Sequence, residues 1–151
     1  MSNTHDREIT ISRLINAPRE RVWSAWTDPD QLILWWGPDG FTNTFQEYAF
    51  CVGGVWKFIM HGPDGIDYPN KIVFSEIREP EHIAFTHSGA DDDPTIFESS
   101  VTFEDQDGGT LVTLRNVFET SEERDRVVKE VGAIEGGKQT LGRLDTFVSA
   151  H

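Results

Sequence analysis

The chain has 151 residues, the size of one ordinary domain, and it contains ten Phe and five Trp. A chain of this length can bury a substantial core, and so many large aromatic side chains are not typical of a disordered protein. The formal net charge is −13, from 26 acidic and 13 basic residues. Because such a charge repels nucleic-acid backbones and anionic lipid headgroups, we expect a globular protein that binds neither nucleic acid nor a membrane.

Cysteine usage and hydropathy favour a cytoplasmic location. Cys51 is the only cysteine, so no disulfide can form within the chain. Residues 1–8 are polar and lack the apolar core of a signal peptide, and no apolar run is long enough to span a membrane. We therefore predict a flexible tail over residues 1–8 and a single domain over residues 9–149.

The first part of the chain predicts one strand and two short helices. Apolar residues alternate loosely from Ile9 to Ile15, as in a half-buried strand. Either Asn16 or Ala17 is expected to cap the first helix, with Pro18 in its first turn. Asp28 followed by a proline repeats this start signal and predicts a short second helix.

From Phe41 to Phe118 the pattern predicts six further strands joined by tight turns. Residues 37–40 and 62–65 are both Gly-Pro-Asp-Gly turn sequences, and Asp107-Gly108-Gly109 is typical of a hairpin turn. A charged loop is expected at residues 91–94. Because connections this short leave no room for crossover helices, the sheet should be antiparallel.

The chain closes with a predicted long helix. Thr120 and Glu123 have the spacing of a capping box at its start. Gly132 lies inside the helical pattern, and an interior glycine costs about 1 kcal/mol relative to alanine. We therefore expect a break near Gly132, with the second half as the main helix. The order of elements is an α+β layout, in which one helix packs across a bent sheet and leaves a space between them.

Two tryptophan-containing segments are the most distinctive motifs of the chain. They are Ala25-Trp26-Thr27-Asp28-Pro29 and Trp35-Trp36-Gly37-Pro38, and weaker ones include Gly53-Gly54 and Val101-Thr102-Phe103. With these motifs, residues 9–149 resemble the activator of heat-shock-protein-ninety ATPase homologue family, within the START-like, polyketide-cyclase-like superfamily. The resemblance implies the helix-grip fold: a curved antiparallel sheet of about seven strands wrapped on a long C-terminal helix, with two short helices after strand 1. It also implies a central hydrophobic cavity.

The chain departs from the pattern of that family at three places. Members often carry an acidic residue and an arginine just before the Gly-Gly, where this chain has Ala49 and Cys51. A strand position at which many members have tryptophan is His87. The Gly-Trp pair near the last helix is Gly136-Gly137 here. The family's co-chaperone activity also involves an additional domain, for which this chain has no room.

The glycine at position 137 suggests a difference in cavity size. Where a large ring is replaced by hydrogen, the neighbouring side chains reclaim only part of the volume. We therefore expect Gly137 to enlarge the cavity or its mouth, so that a bulkier ligand enters. The alternative is that Trp36 or Phe41 fills the same space.

Motifs for metal binding or nucleophilic catalysis are not evident in the sequence. None of the five histidines has the helical spacing of a zinc protease motif. Cys51 has no base beside it, and a free cysteine is most often a small buried hydrophobe. We predict neither a metal nor a cofactor, and the catalytic residues, if any, stay unassigned.

Inward-facing positions on the strands and on the last helix are the candidate ligand-binding residues. A cavity lined mostly by apolar side chains, with a few polar groups, is typical of a small-molecule site. His87, Ser99 and Asn116 fall on the inward phase of their strands and would supply the polar groups. The full set of candidates is Trp36, Trp56, Phe58, Met60, Phe74, Phe85, His87, Phe97, Ser99, Asn116, Gly137 and Leu141.

Three functions are consistent with these observations. The first is a binding module that holds an apolar or aromatic small molecule between the sheet and the last helix. The second is a cyclase-like or hydrolase-like enzyme in which His87 transfers a proton, with Glu76 or Glu98 as the nearest second titratable group. The third, a stress-related or regulatory protein that binds a protein partner, follows from the resemblance alone.

Overall fold

The computed structural model describes residues 7–88, 96–126, 128–129 and 133–150. In these ranges seven strands form one antiparallel sheet of order β1-β7-β6-β5-β4-β3-β2. The elements in chain order are β1 (Glu8–Ile15), α1 (Arg19–Thr27), α2 (Pro29–Trp35), β2 (Thr42–Tyr48), β3 (Val55–His61), β4 (Asp67–Arg78), β5 (His82–Ser88), β6 (Ile96–Gln106), β7 (Gly109–Val117), α3 (Ser121–Arg126) and α4 (Ala133–Ala150). This arrangement confirms the predicted α+β fold. The predicted loop at 91–94 and the break at Gly132 lie outside the described residues.

The first strand begins one residue earlier than predicted, and the first helix begins one or two residues later. Glu8 pairs with Val117 and already belongs to β1, so the predicted tail is one residue too long. Pro18 is the N-cap of α1, with extended backbone angles, rather than a residue of its first turn. Asp28 caps α2 as predicted, because its carboxylate accepts a hydrogen bond from the backbone N–H of Asp30 at 3.0 Å.

A hairpin turn and a helix cap that were predicted in the second half of the chain are confirmed. Asp107 and Gly108 both have positive φ, at 49° and 85°, as a tight two-residue hairpin turn requires. At the start of α3, the backbone N–H of Glu123 donates to Oγ1 of Thr120 at 3.1 Å, which is one half of a capping box.

Helix α4 packs against β1 at one edge of the sheet and against α1 and α2. Its buried stripe includes Leu141, Leu144 and Val148, whereas Ile134 in its first turn is exposed. The sheet register shifts between Phe74 and Glu76, and again on β2. Such bulges bend strands, and a bent sheet curves around a helix. None of the helices in the described ranges is long and apolar enough to cross a membrane.

Candidate functional site

A cavity of about 180 Å³ lies between the sheet and α4. The loop after α2 forms part of its wall, together with strands β3, β5, β6 and β7. Its lining residues are Trp36, Gly37, Pro38, Met60, Phe85, His87, Phe97, Ser99, Leu114, Asn116, Gly136, Gly137 and Thr140. Most of these side chains are apolar, and the polar ones come from β5, β6, β7 and α4.

The structure brings most of the predicted residues to this cavity. The eight candidates that line it are Trp36, Met60, Phe85, His87, Phe97, Ser99, Asn116 and Gly137. The other four, Trp56, Phe58, Phe74 and Leu141, are at most 4% exposed and lie in the packed core beside the cavity. Trp56 and Phe58 stack with ring centroids 4.2 Å apart, so these two side chains face each other rather than an open space.

The ring of His87 lies among aromatic side chains. Its centroid is 4.8 Å from that of Phe97, 6.3 Å from that of Phe58 and 6.5 Å from that of Phe85. The residue is half-buried, with part of its surface toward the cavity. Because this apolar surrounding disfavours the charged imidazolium, burial lowers the pKa of His87 to about 4. The imidazole is therefore neutral at pH 7.

Asn70 determines which nitrogen of His87 carries the hydrogen. The amide nitrogen of Asn70 donates to the carbonyl oxygen of Tyr68 at 2.8 Å, which directs the Asn70 amide oxygen toward His87. That oxygen lies 2.9 Å from Nε2 of His87 and can only accept. Hence Nε2 is the protonated nitrogen of the neutral ring, and Nδ1 presents a lone pair.

A second polar pair lies on the neighbouring strands. Ser99 and Asn116 are directly opposite each other on β6 and β7. The hydroxyl of Ser99 donates to the amide oxygen of Asn116 at 2.6 Å. No hydrogen bond joins the Asn116 amide nitrogen to another described residue, so this nitrogen is available as a donor.

Comparison with known proteins identifies the family. The family model for activator of Hsp90 ATPase homolog 1-like protein matches residues 16–149. The chain belongs to this family. No protein of curated function matches the chain.

Solved structures agree with this assignment. A solution NMR structure of a protein from Arthrobacter aurescens is 29% identical with a TM-score of 0.89, and the match covers 100% of this chain and 91% of that one. A crystal structure of a protein from Mycobacterium smegmatis is 27% identical with a TM-score of 0.87, covering 100% and 96%. A protein from Chromobacterium violaceum, at 23% identity and a TM-score of 0.81 over 94% and 96% of the two chains, shows the fold alone.

The family departure at Gly137 has a different structural cause from either expectation. Gly137 lines the cavity, but the direction that a Cβ would take is occupied by Cδ1 of Ile11 from β1. At Gly136 an added Cβ would lie 3.3 Å from Cγ of Pro38. The two glycines therefore allow α4 to approach β1 and the loop after α2, and neither Trp36 nor Phe41 fills the position.

The acidic residues considered for a catalytic role point away from the cavity. Glu98 is exposed and lies between the inward-facing Phe97 and Ser99. Glu76 is exposed at a bulge, where its carboxylate forms an ion pair with Nε of Arg78 at 2.8 Å. Among the described residues that line the cavity, His87 is the one titratable side chain.

Two other features in this family member do not compete with the cavity as a site. A larger open groove of about 560 Å³ lies along α4, but its two arginines already have hydrogen-bond partners within the protein. Arg13 bonds Asp145 at 3.0 Å, and Arg143 bonds backbone carbonyls. Within the described ranges, no three His, Cys, Asp or Glu side chains are grouped so as to hold a metal ion.

Sequence reasoning missed part of the lining. The missed residues are Gly37, Pro38, Leu114, Gly136 and Thr140, with Asn70 behind His87. Leu114 could have been found, because it has the same strand phase as Asn116. The position of the loop after α2 and the pairing of Asn70 with His87 have no local sequence signal.

Proposed function

We propose that this protein binds an apolar small molecule in the cavity between the sheet and α4. The observation that carries the proposal is the cavity itself, a space of about 180 Å³ whose apolar walls come from the sheet, the helix and one loop. Small-molecule sites combine such apolar walls with a few placed polar groups. The fold of this family commonly binds hydrophobic ligands, which further supports the proposal.

The size of the cavity suggests the probe for a test. An apolar protein cavity of about 150 Å³ accommodates benzene, so toluene should fit a space of about 180 Å³. We expect a titration with toluene, followed by NMR, to shift backbone signals of β5, β6, β7 and α4 in a saturable manner.

A matched pair of variants on α4 shows whether the binding occurs in this cavity. Thr140 lines the cavity and is buried, whereas Thr146 is exposed on the same helix and lines the larger open groove along α4. Thr140→Phe should weaken toluene binding at least tenfold by filling the space, and Thr146→Phe should bind as the wild type does. Equal binding by both variants would place the ligand elsewhere and contradict the proposal.

A further inference from the structure

Two of the polar side chains that line the cavity, His87 and Asn116, offer complementary hydrogen-bonding functions. Among the described residues, the hydrogen bond of the His87 ring runs through Nε2 to Asn70, so its Nδ1 lone pair has no protein donor. On the neighbouring strands, the amide nitrogen of Asn116 is a donor beside an oxygen that already accepts from Ser99. A ligand that donates to Nδ1 would therefore satisfy the acceptor that the protein leaves open.

Asn70 makes Nδ1 of His87 an acceptor rather than a donor. In the other tautomer Nδ1 would carry the hydrogen, and Nε2 and the oxygen of Asn70 would be two acceptors without a hydrogen bond between them. The bond from Asn70 to the Tyr68 carbonyl disfavours a matching rotation of the amide, because the rotated amide would present its oxygen to another oxygen. The site thus selects for a ligand with an O–H or N–H group.

The volume and charge of the cavity limit what that ligand can be. About 180 Å³ is slightly more than the space that benzene occupies in a protein interior, so one ring with small substituents fits. Phe85, Phe97 and Met60 provide apolar surface for such a ring. Neither Lys nor Arg lines the cavity in the described part of the chain, so an anionic group would be buried without a counter-charge.

We propose that the cavity binds an uncharged, single-ring phenol whose hydroxyl donates a hydrogen bond to Nδ1 of His87, an inference that rests on the proposed binding function. The hydroxyl oxygen can in turn accept from a donor such as the amide of Asn116. A phenol has a pKa near 10, so it enters as the neutral species at pH 7. The aromatic ring stacks with or lies edge-on to the phenylalanines of the lining.

The test compares two ligands of nearly the same shape. Para-cresol and para-xylene differ by one hydroxyl in place of one methyl group, so the ratio of their dissociation constants reports the hydroxyl. Both ligands should bind the wild type. In His87→Phe the preference for para-cresol should fall about three- to tenfold relative to the wild type, which is the effect of one lost hydrogen bond. His61→Phe, on the opposite face of β3, is the control and should keep the wild-type ratio.

A second measurement does not depend on a variant. The nitrogen NMR resonance of Nδ1 in the wild type should shift when para-cresol binds and stay nearly unchanged with para-xylene. If both ligands bind but the ratio is the same in His87→Phe and Nδ1 does not respond, the phenol inference is wrong while the cavity still binds apolar ligands. If neither ligand binds the wild type, the proposed function fails together with the inference.

Discussion

Arg143 on α4 donates a hydrogen bond from Nη1 to the carbonyl oxygen of Pro38 at 2.8 Å. The same nitrogen lies 3.0 Å from the carbonyl oxygen of Gly37 and 3.3 Å from that of Trp36. Burial lowers the pKa of Arg143, and the carboxylate of Asp39 opposes this effect. These contacts attach one wall of the cavity, the loop after α2, to the helix that forms another wall.

We expect Arg143→Met to lower the free energy of unfolding by about 2 kcal/mol, because hydrogen bonds from a charged group contribute about 1.5–3 kcal/mol. Denaturant unfolding followed by fluorescence measures the change. Lys138→Met, an exposed position on the same helix, is the control and should change stability by less than about 0.5 kcal/mol. Equal effects in the two variants would show that the carbonyl contacts of Arg143 contribute little.

The glycines of α4 should respond differently to alanine. At Gly142 the added Cβ would lie 3.8 Å from Nη1 of Arg13, an ordinary contact, so Gly142→Ala should stabilise the protein by about 0.5–1 kcal/mol. Gly137→Ala should gain less or lose stability, because Cδ1 of Ile11 must move. Ile11→Val deletes that carbon, so Gly137→Ala should be more favourable in the Ile11→Val background. Thermal unfolding of the two single variants and the double variant measures this coupling. Additive effects of the two substitutions would contradict this account.

His87 should make stability depend on pH. The pKa of this residue is lowered from 6.5 to about 4 in the folded protein, so between these values the unfolded chain binds more protons. The contribution of His87 is therefore complete above pH 6.5 and declines as the pH falls toward 4. Because the residue is half-buried rather than fully buried, we expect about 2 kcal/mol.

The pH effect is measured as a difference between two proteins. Urea unfolding at pH 7 and at pH 4.5 should show a larger loss of stability in the wild type than in His87→Phe, since the carboxylates titrate in both. Parallel stability profiles would mean that His87 has an ordinary pKa in the folded protein.

The N-cap of α2 should depend on the side chain of Asp28. One carboxylate oxygen accepts from the backbone N–H of Asp30 and the other from the side-chain amide of Gln31, each at 3.0 Å. Asp28→Ala should cost about 1 kcal/mol, and Asp28→Asn should restore most of it because asparagine also caps helices. Thermal unfolding of both variants measures this, and equal losses would contradict a capping role.

Much of the fold follows from local sequence patterns. Alternation of large apolar residues predicted the strands, and Asp107-Gly108-Gly109 predicted the β6–β7 hairpin, because few residues accept its positive φ values. The alternation also predicted that His87, Ser99 and Asn116 face inward, and in the structure all three line the cavity.

The strand phase could not separate the cavity from the core beside it. Trp56 and Phe74 have inward phases as Phe85 does, but bulges on β2 and β4 and the curvature of the sheet decide which residue meets an open space. Asn70 lies in a polar stretch without clear alternation, so only the pairing of β3, β4 and β5 brings it to His87. A local stretch of sequence does not predict such contacts between residues far apart in the chain.

The cavity walls are drawn from positions between Trp36 and Thr140 of the chain. No short segment contains enough of the lining to form the site, so a cavity ligand would bind the folded protein and not the unfolded chain. Its binding energy therefore adds to the free energy of unfolding. At a free concentration one hundred times its dissociation constant, such a ligand raises stability by about 2.7 kcal/mol. The melting temperature of this protein in its cell would then vary with the supply of that ligand.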